Sequence, residues 1–151
     1  MKKMFILATL FFSLVACKKD NTPPPAETAN KITGKWHIAN NIIITRDSLG
    51  AVMSVDTVII PGDPALMYYQ FNDDNTWANG GTFIDAPNSN SAAHGTYVLK
   101  SEEKLVLSTT GQQTEYVITT LTPNKFVFNH DRVSYIDNKK VIFRYMAELT
   151  R

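Results

Sequence analysis

The sequence has 151 residues, 44% of them hydrophobic and 19% charged, with 15 basic against 14 acidic side chains, a single cysteine and a formal net charge of +1. That size and balance predict one domain burying roughly two thirds of its unfolded surface, not a disordered tail. Near-neutral charge, without a basic stripe interleaved with aromatics, excludes the electrostatic footprint of a nucleic-acid binder.

Lys2 and Lys3 precede an apolar run, residues 4–16, interrupted only by Thr9 and Ser13 and ending at Cys17. As a helix that run spans about 20 Å, short of the ~30 Å of hydrocarbon that a membrane-crossing helix must bridge, so residues 1–16 read as an export signal. The closing Leu14-Val15-Ala16-Cys17 resembles the lipobox of bacterial lipoproteins. The resemblance implies cleavage after residue 16 and acylation of Cys17 with two or three chains, the number at which membrane attachment becomes lasting. A membrane is then the implied partner. The implied location is the cell envelope, with the outer membrane favoured and the domain in the periplasm or on the cell surface. Residues 17–30 continue as polar chain centred on Pro23-Pro24-Pro25. They predict a semi-rigid tether reaching up to ~40 Å.

From residue 31 to 151 the pattern changes to period-two alternation rich in β-branched and aromatic residues, and the expected class is all-β. Strands are predicted over residues 34–45, 52–60, 67–72, 76–84, 95–100, 104–109, 115–121, 125–130 and 140–149. The links carry turn chemistry: Asn72-Asp73-Asp74-Asn75 tolerates left-handed backbone, and Pro123 pre-sets a turn between Thr122 and Asn124. Sequential strands are therefore expected to pair antiparallel. The polar stretch 85–93 is the longest interruption and predicts a loop. An exposed sheet edge invites aggregation, so an antiparallel up-and-down barrel of eight or nine strands is the expected solution, with a sandwich as its competitor.

Gly34-Lys35-Trp36, flanked by Ile32 and Ile38, opens the first of these strands. Tyr69 to Trp77 makes an early hairpin, and Gly95-Thr96-Tyr97-Val98-Leu99 follows. The triplet and this order resemble the Gly-x-Trp signature of lipocalins and the wider calycin group, in the form of short lipocalin-like domains carried by bacterial lipoproteins. The resemblance implies a calycin barrel whose floor is closed by Trp36, with Gly34 beside it and an arginine near the last strand packed across the indole. Arg144 and Arg151 are the two choices, and Arg144 is the expected one.

Catalytic chemistry finds little support. His37, His94 and His130 lie far apart, without helix-spaced pairs or a Cys-His cluster, so no metal site or cofactor is expected. Adjacent Asp73 and Asp74 would point to opposite faces of a strand and read as turn formers. Gly80-Gly81 lacks the helix start of a phosphate loop and reads as a bulge or bend. Aromatic residues are the remaining lead. Met67, Tyr69 and Phe71 share a face, as do Phe126 and Phe128, and Val141, Phe143 and Tyr145. Most must fill the interior, and Tyr69, Tyr97, Tyr116 and Phe128 are expected to line an apolar cup. The leading expectation is a membrane-tethered, non-enzymatic binding module for a small hydrophobic ligand. A filled barrel serving as the scaffold of an accessory envelope lipoprotein is the alternative, and a hydrolase or isomerase in the same barrel ranks third.

Overall fold

The computed structural model describes residues 32–58, 66–81 and 92–151. The predicted export signal, Cys17, the tether and most of the 85–93 loop lie outside the described residues, as do the far ends of the strands predicted to reach residues 60 and 84.

Among the described residues, alternation produces nine strands: β1 Gly34–Arg46, β2 Val52–Val58, β3 Tyr68–Phe71, β4 Thr76–Gly80, β5 His94–Ser101, β6 Lys104–Thr109, β7 Gln112–Leu121, β8 Lys125–Ile136 and β9 Lys139–Thr150. All pairings are antiparallel. Consecutive strands pair from β3 through to β9, and β9 returns to β1, from His37 opposite Thr150 to Arg46 opposite Ile142. Eight strands thus close into a barrel, which pairs the edges that the same strands would expose as an open sheet, while β2 stands outside the closure with one edge unpaired among the described residues.

One expected pairing does not form, because β2 and β3 both use the same edge of β1. Gly34 to His37 pair with β3, and Asn41 to Arg46 pair with β2. At the changeover the register of β1 against β9 slips between Ile38 and Asn40. A bulge of this kind bends a strand and strengthens its twist, so one long strand can leave β3 and serve β2. Above that point β2, β1, β9 and β8 continue as a four-stranded sheet, since the ladder between β7 and β8 stops at Val117 opposite Asn129.

Turns fix the register at the lower end. The Asp74 carboxylate accepts from the Thr76 hydroxyl at 2.6 Å and the Thr76 amide at 3.0 Å, which holds it below the usual carboxylate range. Asn75 takes a φ of 61° beside it. At the upper end Asp137 and Asn138 have φ of 49° and 61°, the paired positive values of the tight turn that matches strand twist. That turn lets β8 run to Ile136, six residues beyond the strand expected over 125–130.

Inward-facing side chains fill the lower barrel, the largest fully buried ones including Trp36, Phe71, Trp77, Phe126 and Phe128. Gly95 permits the closest backbone approach in this core. It stands opposite Trp77, whose indole nitrogen donates to the Ser108 carbonyl at 3.3 Å, and a β-carbon placed on Gly95 would fall 1.8 Å from that same oxygen. Gly95→Ala therefore forces β5 away from β6 and is expected to cost about 3 kcal/mol in urea unfolding. Gly50→Ala, strained by its positive φ but with nothing within 4 Å, should cost about 1 kcal/mol. Equal losses at the two positions would contradict the packing described for Gly95.

Candidate functional site

The floor of the barrel is built around Trp36. Its indole nitrogen donates to the Ile32 carbonyl at 2.7 Å, and its ring tilts against Phe126 at 5.5 Å between centroids. The Arg151 guanidinium lies over the ring, its central carbon 3.9 Å from the ring centroid, and also donates to the Thr33 carbonyl. Burial lowers the pKa of this arginine. Gly34 completes the arrangement. Its φ of 115° favours glycine, and a β-carbon there would touch the guanidinium at 3.4 Å.

Arg144, expected in this role, sits elsewhere. Odd-numbered residues of β9 face the core, with Ala147 and Leu149 fully buried, so Arg144 points outward. It forms a bidentate pair with Asp131 across the β8–β9 ladder, at 2.7 and 2.9 Å. The hydrogen bonds from Arg144 hold the Asp131 carboxyl below its ordinary range, and the same pairing raises the pKa of Arg144.

Tyr97 also belongs to the floor. Its hydroxyl donates to the Asn72 carbonyl at 3.0 Å and its ring meets Phe71 edge-on at 5.2 Å, while burial pushes the phenol pKa up. The other three residues expected to line a cup do come together. Phe128 lies edge-to-face with Tyr69 at 5.4 Å and with Tyr116 at 5.2 Å, and all three are buried.

From that cluster the aromatic contacts climb. Tyr116 meets His130 edge-on at 4.9 Å, His130 stacks on Tyr145 at 5.4 Å with 23° between planes, and Tyr145 leans on Phe143 at 6.4 Å. His130, Tyr145 and Phe143 are only partly buried. They stand on the inner face because β8 continues the alternation of Phe126 and Phe128, and β9 that of Leu149 and Ala147. The ladders place Asp56, Ile43, Tyr145 and His130 in one row across β2, β1, β9 and β8. The row beneath it reads Val58, Asn41, Ala147 and Phe128.

Two carboxamides interrupt this apolar surface. Asn79, facing inward two residues above Trp77 on β4, accepts from the Ala93 amide at 2.8 Å but leaves its Nδ2 without a partner. Asn41 is 2% exposed, and neither its Oδ1 nor its Nδ2 is hydrogen-bonded. Neither residue was singled out from sequence, nor was His130 as a wall residue. The available signal was the two-residue spacing of His130 from Phe128. Among the described residues no three His, Cys, Asp or Glu side chains gather as a metal site would require.

A family model for the lipocalin-like domain matches residues 32–128, which include Gly34 and Trp36 of the floor and the Tyr69, Tyr116 and Phe128 cluster. The chain belongs to the lipocalin-like family. A search of curated proteins finds no match. The lipocalin-like match ends at Phe128, so the upper half of β8 and all of β9, which close the barrel and carry Tyr145 and Phe143, lie beyond the matched span.

Two consequences of this geometry can be measured. Arg151→Ala is expected to alter tryptophan emission and cost about 1 kcal/mol, whereas Arg144→Ala leaves the emission unchanged. An emission change with Arg144→Ala alone would reverse the assignment. Asp131, with its pKa depressed in the folded state, contributes stability that is present above the ordinary carboxylate pKa and lost as pH falls through the folded value. Part of the acid sensitivity between about pH 5 and pH 3 should disappear in Asp131→Asn. An unchanged pH slope in that variant would remove the pair from the account.

Proposed function

We propose that this lipocalin-like chain is a non-enzymatic lipoprotein, anchored to a bacterial membrane through acylated Cys17, whose barrel takes up a small apolar ligand. The supporting observation for binding is the run of rings that starts in the buried core at Phe128 and Tyr116 and continues as the partly buried His130, Tyr145 and Phe143. Packed rings below make a rigid base, and part-exposed rings above leave apolar area for a guest to cover. Each aromatic side chain fully withdrawn from water is worth about 1.5 to 3 kcal/mol, so a ligand resting on two of them gains useful affinity. Anchoring is supported by the lipobox-like Leu14-Val15-Ala16-Cys17 and the Pro-rich tether after it, which together favour the cell envelope. The accessory-scaffold reading draws on the filled lower barrel, where Trp36, Phe71 and Phe126 leave no exposed surface.

Titration of the full chain with the fluorescent probe N-phenyl-1-naphthylamine separates these readings. Saturable binding, weakened about tenfold in Phe143→Ser combined with Tyr145→Ser, is expected for a ligand site, from the loss of about 1.4 kcal/mol or more of apolar contact. No saturable binding, or affinity indifferent to those changes, favours the scaffold. For the anchor, intact-mass measurement of membrane-purified protein should show loss of residues 1–16 and the added mass of acyl chains on Cys17. An unmodified cysteine would end the lipoprotein reading.

A further inference from the structure

Asn41 is the most demanding polar group of the barrel. It is 2% exposed, with both ends of its carboxamide unpartnered. Leaving a buried donor and a buried acceptor both unmet costs stability, and native interiors rarely tolerate it without a reason. Asn79 differs, because its oxygen is committed to the Ala93 amide.

The position of Asn41 gives that reason a form. Its neighbours in register are Val58 on β2 and Ala147 on β9, both apolar. Two residues further along the same face, the next row carries Asp56, Ile43, Tyr145 and His130. Rows two residues apart on one face of a strand are separated by about 7 Å, the length of a fused two-ring system. The carboxamide therefore lies at the base of the partly buried rings, one apolar body-length below them.

We infer that Asn41 determines ligand specificity, receiving a neutral group that both donates and accepts a hydrogen bond, a hydroxyl or a carboxamide, on an apolar body held against Tyr145 and His130. The inference rests on the ligand-binding reading above. The donor–acceptor pair of Asn41 is complementary to such a group, which satisfies both orphaned atoms at once. A carboxylate fits poorly. It offers no proton to the Asn41 oxygen, and it would be stripped of water between Val58 and Ala147 without a cation in register beside it.

The test is calorimetric titration of the full chain with four probes sharing one body: naphthalene, 2-naphthol, 2-naphthamide and 2-naphthoate. Naphthol and naphthamide are expected to bind at least tenfold more tightly than naphthalene, with naphthoate no better than naphthalene. In Asn41→Leu the ratio of naphthol to naphthalene affinity should fall to about one. Because that variant replaces a buried group, the wild-type side-chain amide resonance of Asn41 provides a second readout, shifting with naphthol and not with naphthalene. Equal affinity for naphthol and naphthalene in the wild type would overturn the inference while leaving the binding reading intact, as would a preference that survives Asn41→Leu. Failure of all four probes to bind would overturn both.

Discussion

The barrel is built up from a cation held over an indole. Arg151 covers Trp36 from below, and the same guanidinium reaches back to the Thr33 carbonyl, so the end of β9 and the entry to β1 are fastened together at one point. Gly34 lies beside the guanidinium, and Phe126 packs against the indole. Everything above is stacked on that base. Phe126 supports Phe128 at 5.0 Å, Phe128 supports Tyr69 and Tyr116, and the series ends in side chains that water still reaches. A tightly packed interior transmits position faithfully, so the orientation of the upper rings is set from the floor.

Much of this was readable from alternation alone. The described strands overlap the nine stretches that period-two patterning marks, although β4 stops at Gly80 and β7 starts three residues early, and the Gly-x-Trp triplet marks the strand that closes the floor. The choice between two arginines was also present in the pattern. Val141, Phe143 and Tyr145 share a face, and counting by twos from them reaches position 151 and never 144. Parity is the physical rule that selects Arg151 over Arg144. The extension of β8 had its own sign in Asp137-Asn138, a pair suited to two consecutive left-handed residues. The sharing of one edge of β1 between β2 and β3 had no such sign. It follows from a bulge whose position depends on barrel curvature, and nothing local in Ile38, Ala39 or Asn40 announces it. Asn41 was equally hidden, because in Asn40-Asn41 only the strand's facing, set after the bulge, decides which of the two carboxamides is buried.

Function and stability pull in different directions along the inner face. The lower rows hold side chains that fill volume and satisfy their polar atoms against backbone, as Trp36, Trp77 and Tyr97 do. The next row holds the unsatisfied carboxamide of Asn41, and the rows above it hold part-exposed rings, features that a protein selected for stability alone would replace. The gradient runs from floor to rim within a single sheet. A filled base and a part-exposed surface are thus supplied by the same strands at different heights.

The fastening at the floor joins residues 118 positions apart in the sequence. Bringing such distant segments together costs chain entropy before any contact repays it, so the sheet must wait, unrolled, for its final strand. During that interval β1 and β9 present bare margins able to pair with a neighbouring molecule. A molecule caught short of closure therefore exposes those margins, and crowding of nascent copies raises the chance that they pair wrongly.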